Sequence, residues 1–245
     1  MKLSQFFSIC TKSKHECTLT VDVHSHLLPG IDDGAANIQE SITLVKNFIH
    51  LGYKKLIMTP HIIEDYYKNT PEIIHAKLAE LQSEIKKHDL DISLEAAAEY
   101  YLDEFFVKKI HRSEPLLFFG NKYLLFETSF MNPSSYFSEA VFSMKAAGYN
   151  PVLAHPERYV YLYDDFNKYK EIKNLGILFQ INIASLSGYY SEASRKIAEK
   201  LINENMIDFL GSDCHASRHI EAIAKAQKTK AYEKALSSNL LNYTL

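Results

Sequence analysis

The 245 residues, 47% hydrophobic and 23% charged with few glycines and prolines, fit an ordinary globular chain and exclude disorder. A formal net charge of -3 removes any global electrostatic case for nucleic acid or an anionic membrane, so an anionic substrate needs a local positive site. Three cysteines, Cys10, Cys17 and Cys214, are too few for a disulfide scaffold and point to a reducing cytoplasm, and no run approaches the roughly 20 apolar residues of a membrane span.

Residues 1–17 read as a flexible leader. MKLSQFFSIC has one lysine and an apolar stretch too short for a signal sequence, FSIC lacks the small residue that precedes a lipidated cysteine, and Cys10, His15 and Cys17 read as part of the tail rather than as a metal site. A first strand is expected over 18–24 (TLTVDVH), where alternation puts Asp22, His24 and His26 on one face. NIQESITLVKNFIHLG then opens on an Asn37–Glu40 capping box, carries apolar residues at 38, 42, 45 and 49, and stops at Gly52, which predicts a helix. A second strand, 54–60, leads to His61; Thr70 and Pro71 open a second helix with apolar residues at 74, 78, 81 and 85. Strands follow at 91–99, 123–128, 151–155, 177–183 and 207–213, with helices near 134–148, 165–175, 191–205 and 217–237. Seven βα units without a linker predict one parallel α/β domain over 18–245, either a doubly wound sheet or, favoured by length, a closed barrel.

The metal-type residues fall at the C-terminal ends of these strands: His24 and His26, His61, Glu99, Glu127, His155, and Asp213 with His215. In a parallel barrel those ends converge on one mouth, where such folds place their chemistry. Each residue alone has a plainer reading, such as a packed histidine or a solvated strand end. Together, imidazoles and carboxylates aimed into one mouth need neutralising, and divalent cations do that. With Asp33 the set holds five histidines and four carboxylates, enough for two or three ions. The N/O donor types suit manganese, iron, zinc or cobalt, while Cys214, between Asp213 and His215, faces away and reads as packing. Such a cluster points to hydrolysis of a phosphoryl group. Arg158, just past His155 in HPERY, is placed to bind phosphate oxygens; a loop salt bridge is its alternative.

VDVHSHLLPGIDDG, MTPH, AAAEYY, LLFETS, LAHPERY and GSDCH, in this order, resemble the PHP (polymerase and histidinol phosphatase) superfamily, and within it the bacterial capsule-type protein-tyrosine phosphatases. The resemblance implies a distorted (β/α)7 TIM-like barrel with a trinuclear, usually manganese-dependent site (iron, zinc, cobalt or magnesium being the other candidates) at the C-terminal strand ends. It implies metal ligands His24, His26, Asp33, His61, Glu99, Glu127, His155, Asp213 and His215, with Glu99 bridging and Arg158 holding phosphate. Asp33 is preferred to Asp32 as the ligand, and Asp22 is read as support for a histidine. Arg218 is the candidate for the second phosphate-binding arginine, with a salt bridge at a helix start as its alternative. Tyr66, Tyr67, Tyr100, Tyr159 and Tyr161 are placed beside the mouth, either to stack on a phosphotyrosine ring or as solvent-edge aromatics.

The activity so implied is attack of a metal-bridging hydroxide on phosphotyrosine in a protein, opposite a bacterial tyrosine autokinase that controls capsule or exopolysaccharide assembly. A phenol, with its pKa near 10, leaves with little protonation. A cysteine-based phosphatase needs C-x5-R, and the residues six after the three cysteines are Glu16, Val23 and Ile220. The rival readings are a phosphatase for histidinol phosphate or another small phosphomonoester on the same site, and a non-catalytic metal-stabilised regulator; a nuclease lacks its basic stripe.

Overall fold

The structure, a computed structural model, describes residues 18–245, so the expected leader with Cys10, His15 and Cys17 lies outside the described residues. Strands and helices alternate in the order β1 (Val21–Asp22), α1 (Ile38–His50), β2 (Lys55–Met58), β3 (His61–Ile62), α2 (Pro71–Lys87), β4 (Ser93–Ala96), β5 (Glu99–Tyr101) and α3 (Glu104–His111). They continue as β6 (Tyr123–Glu127), α4 (Phe137–Ala146), β7 (Asn150–Ala154), α5 (Asn167–Asn174), β8 (Leu178–Asn182), α6 (Glu192–Asn203), β9 (Phe209–Gly211), α7 (Ser217–Ala226) and α8 (Lys230–Leu236). All strand pairings are parallel, in two sheets of order β1-β2-β4 and β3-β5-β6-β7-β8-β9.

The expected strands 54–60 and 91–99 are each divided. Pro60 has no N–H to give the ladder, so β2 stops at Met58 and the chain resumes pairing as β3 in the other sheet. The neighbouring strand follows it: Ala97 N–H donates to Met58 O (2.8 Å) and Glu99 N–H to Pro60 O (3.1 Å), carrying β4 into β5. At the other edge, Asp213 N–H donates to His24 O (2.7 Å) and His26 N–H to Cys214 O (2.9 Å), around a parallel Ser25–Cys214 bridge. The sheets thus meet as one curled parallel surface with its helices outside.

Two layers of apolar side chains pack this surface. The larger lies between strands and helices; in α1 the face Ile42, Leu44, Val45 and Phe48 is buried there. A smaller inner cluster joins Val21, Val23, Leu125, Val152, Ala154 and Phe209 beneath the mouth. Since Val21 and Val23 belong to this inner cluster, Asp22 points the other way, and its carboxylate accepts from the backbone N–H and hydroxyl of Ser212 (both 2.7 Å). This corrects the reading of Asp22 as support for a histidine: the ladder ends at Asp22, and the alternation that would align it with His24 and His26 is broken in the irregular chain beyond. Burial raises the Asp22 carboxyl to about 6 against those Ser212 hydrogen bonds.

Local signals largely hold. Asn37 Oδ1 accepts Glu40 N–H (3.0 Å), although the Glu40 carboxylate reaches back to Ala36 N–H rather than to Asn37, and Thr70 caps α2 with Pro71 at its first position. Two helices depart from expectation. The expected 217–237 helix breaks at 227–229, where Thr229 caps α8, and α3 is absent from the sequence reading, being eight residues capped by Asp103.

Candidate metal centre

Every candidate ligand sits at the mouth of the curled sheet: His24 and His26 just past β1, Asp33 on the turn that follows, His61 and Glu99 opening β3 and β5, Glu127 ending β6, His155 just past β7, and Asp213 and His215 just past β9. Glu99 is central. Its Oε2 lies 3.2 Å from His24 Nε2, 3.5 Å from His26 Nε2 and 3.2 Å from His61 Nδ1, and its Oε1 lies 3.1 Å from His155 Nε2. Glu127 faces His61 (3.3 Å) and His155 (3.6 Å). Asp213 Oδ1 faces His24 and His26 (both 3.6 Å) and His215 (3.4 Å), while Asp33 Oδ1 faces His61 (3.6 Å) and His215 (3.3 Å).

These atoms form four overlapping ligand groups: His26, Asp33, His61 and His215; His24, His26 and Asp213; His24, Glu99 and His155; and His61, Glu99 and Glu127. All nine expected residues fall in at least one group, and His24, His26, His61 and Glu99 each fall in two. Glu99 Oε2 and His61 Nδ1 are buried without a hydrogen-bond partner, so donor atoms that ordinarily demand one face each other across the cluster. An all-nitrogen and -oxygen set with unpaired inward lone pairs fits divalent ions.

The electrostatics agree. Burial pushes Glu127 well above the usual carboxylate range, reinforced by Glu99 and Asp213, a repulsion among carboxylates that added cations relieve. Burial opposes ionisation of Glu99 too, but His24, His61 and the hydrogen bond from His155 pull it well below its ordinary value. Burial, with His26 next to it, lowers His61 to about 4, which leaves its imidazole neutral, the form that ligates. Asp33 falls to about 2 despite burial, through the hydrogen bond and charge of His215.

Behind the ligands, polar side chains fix their orientation. His24 Nδ1 donates to Gln180 Oε1 (2.6 Å), His26 Nδ1 to Asp32 Oδ2 (2.8 Å) and His215 Nδ1 to Asp213 O (3.0 Å), so the Nε2 atoms face inward. Asp32 also accepts the N–H groups of Gly34 (3.0 Å) and His61 (3.1 Å). The two neighbouring acids thus divide the work, Asp33 toward the cluster and Asp32 behind His26. Gly34 makes the turn possible: a Cβ there would lie 1.9 Å from His26 O. Gly211 has the same role under His24, since its Cβ would come within 2.8 Å of His24 Cβ. His155 (φ 34°) and Asp213 (φ 49°) both take the left-handed backbone conformation, a strained choice that recurs at functional sites.

Arg158 is close by. Its Nη1 donates to Asp213 Oδ2 (2.8 Å), an oxygen that also accepts from Asn182 Nδ2 (2.6 Å) and the Tyr190 hydroxyl (3.2 Å). Arg218 stands apart, exposed, donating from Nε to the Tyr189 hydroxyl (3.0 Å). Of the five tyrosines, Tyr67 stacks on His61 with centroids 5.6 Å apart and Tyr66 is 81% exposed, while Tyr161 bonds Thr128. Tyr100 and Tyr159 are both buried; Tyr100 faces away from the mouth, which corrects its placement, while Tyr159 packs on the His155 ring with centroids 5.8 Å apart. Tyr100 alternates away from Glu99 along β5 and stacks on Phe106 of α3, and the Tyr159 hydroxyl donates to Ala154 O (3.0 Å). Sequence reasoning missed Gln180, Asn182, Tyr190 and Phe130. The first two had a signal: polar residues two apart at the end of the otherwise apolar strand ILFQINI share one face.

The profile of the family described as "Capsular polysaccharide synthesis, CpsB/CapC" matches residues 20–241. CapC of Staphylococcus aureus is 32% identical over 228 residues, covering 91% of this chain and 89% of CapC. The tyrosine-protein phosphatase YwqE of Bacillus subtilis is 27% identical over 195 residues, 80% of this chain and 77% of YwqE. Among solved structures, one from a study of YwqE from Bacillus subtilis and CpsB from Streptococcus pneumoniae, described as unique metal-dependent tyrosine phosphatases, superposes with a TM-score of 0.78 at 26% identity, over 88% of this chain and 89% of the other.

Proposed function

The chain belongs to the CpsB/CapC family of capsular polysaccharide synthesis, and from that premise we propose that it is a metal-dependent phosphomonoester hydrolase removing phosphate from phosphotyrosine in proteins. The observation that carries this reading is the convergence of nine nitrogen and oxygen donors on one mouth with a guanidinium at its edge. His24, His26, Asp33, His61, Glu99, Glu127, His155, Asp213 and His215 would hold two or three divalent ions, manganese being the first choice, with Glu99, present in two of the ligand groups, available to more than one ion. Such ions, when bound, supply a nucleophilic water at neutral pH and neutralise phosphoryl charge.

The chain's own groups do the rest. Gln180 and Asp32 keep the imidazoles of His24 and His26 turned inward. Arg158 binds the phosphoryl oxygens through the free edge of its guanidinium and offsets charge during transfer. Phenol is a good enough leaving group that no strong acid is required at the mouth. Arg218, exposed and bonded to the Tyr189 hydroxyl, is the candidate second contact. The curled surface, joined at Ser25–Cys214, is read as a single distorted (β/α)7 barrel domain over 18–245. The setting is cytoplasmic, and the substrate a bacterial tyrosine autokinase. Among the described residues, no helix is long and apolar enough to cross a membrane.

The test is phosphate release from a phosphotyrosine peptide, beside histidinol phosphate, by chelator-stripped protein with manganese restored and an Asp213→Ala, His215→Ala control. Peptide turnover that returns with metal and vanishes in the control is expected. Turnover of histidinol phosphate alone, or none with metal fully bound, refutes the reading.

A further inference from the structure

Arg158 is flanked by two aromatic rings. Its Cζ lies 4.4 Å from the centroid of the Phe130 ring and 4.1 Å from that of Tyr190. The three residues come from different segments: Phe130 after β6, Arg158 after β7 and Tyr190 after β8. Each ring is itself anchored to the site. Phe130 packs against the His155 ring (centroids 5.4 Å) and its carbonyl accepts Val160 N–H (2.9 Å). The Tyr190 hydroxyl accepts from Asn182 Nδ2 (3.2 Å) and donates to Asp213 Oδ2 (3.2 Å), the same oxygen that takes Arg158 Nη1.

A guanidinium is planar and recognises oxyanions only along its edge. Two rings with centroids 4.4 and 4.1 Å from Cζ restrict tipping out of that plane, and the Asp213 contact restricts rotation within it. With one edge spent on Asp213, the rest of the fork is held in a fixed direction at the mouth, and the side chain remains 23% exposed. Lysine in the same slot has no plane to grip.

We propose that Phe130 and Tyr190 are positioning residues that aim the Arg158 fork at the phosphoryl group, with Tyr190 also tying that aim to Asp213. The inference rests on the phosphatase reading and adds to it two residues that touch neither phosphate nor ligand nitrogen.

The test uses the manganese-loaded protein, titrated calorimetrically with inorganic phosphate and assayed on a phosphotyrosine peptide. Tyr190→Leu and Phe130→Leu should each weaken phosphate binding about five- to thirtyfold, the range of a desolvated cation–π contact, with a matching rise in KM. Tyr190→Phe, which keeps the ring but loses the hydroxyl tie to Asp213, should fall between wild type and Tyr190→Leu. In an Arg158→Met background the two leucine substitutions should change phosphate affinity by less than about twofold, because rings that act only through the cation have nothing left to hold. Equal losses in both backgrounds, or a fall in manganese affinity on Phe130→Leu, overturn the proposal in favour of general support of the site. Leucine variants equal to a wild type that binds phosphate and turns over peptide overturn the clamp alone. A wild type that loads manganese and does neither overturns the phosphatase reading and the clamp with it.

Discussion

Gln180 accepts the Nδ1 proton of His24 and passes the connection on: its Nε2 donates to Asn182 Oδ1 (3.0 Å), and Asn182 Nδ2 donates to Asp213. Two candidate ligands from opposite ends of the chain are therefore locked through one strand, β8. Gln180→Met keeps the volume and leaves the His24 Nδ1–H buried with no acceptor. Manganese affinity, measured calorimetrically, should fall about 10- to 100-fold, the usual cost of losing a partner behind a metal-bound histidine. An unchanged affinity would remove Gln180 from any role at the centre. The candidate ligands that converge at the mouth were legible in the sequence because H-x-H, the D-D-G turn and D-C-H each combine a metal-type residue with a strand end. Tyr190 was not, since nothing in GYYSEA separates a ring packed on an arginine from a surface tyrosine, and Tyr100 was misplaced for the same reason. A tyrosine's side of the sheet depends on a register that composition does not reveal.

At the level of elements, the 3₁₀ turn Pro156–Arg158 deserves a prediction of its own, because the residue that fixes it is a buried acid. Glu157 Oε1 accepts from Asn182 N–H (3.0 Å) and from the Ser185 hydroxyl (2.6 Å), pinning the Arg158 turn to the segment beyond β8. Burial raises its carboxyl to about 7, against those hydrogen bonds and the Arg158 charge. The folded state thus holds this proton more tightly than the unfolded chain, so the stabilisation is complete below about 4.5 and is lost as pH rises through about 7. Glu157→Gln has no proton to lose. In chelator, denaturation of both proteins should show wild type losing up to about 3 kcal/mol relative to the variant between those pH values, and parallel curves would refute it. The strands and long helices could be read from period and caps alone. The handover at Pro60, where one expected strand serves two sheets, could not, because a missing N–H states where a ladder stops but not which neighbour takes it up. Helix α3 escaped notice because it spans only two turns between a strand and a loop, too few residues for a period to establish itself.

For the molecule as a whole, the centre joins segments from residue 24 to residue 215, so ions held there bind the folded chain and not the unfolded one. At free manganese a hundredfold above its dissociation constant, one ion contributes about 2.7 kcal/mol and raises Tm by roughly 5 to 10 °C. Chelation followed by calorimetry should show that drop, with Tm restored on adding metal back; a Tm indifferent to chelator would mean the cluster holds no ion. The same span bears on biosynthesis. Asp22 meets Ser212 across 190 residues, and Asn242 Nδ2 donates to Val21 O (3.1 Å), so β1 is completed only by segments made 190 or more residues later. At a ribosomal pace of 5 to 20 residues per second, His24 and His26 emerge roughly 10 to 40 s before Asp213 and His215 exist to meet them. The nascent chain holds an incomplete chelator during that interval, and the full centre assembles only once residue 215 has been made.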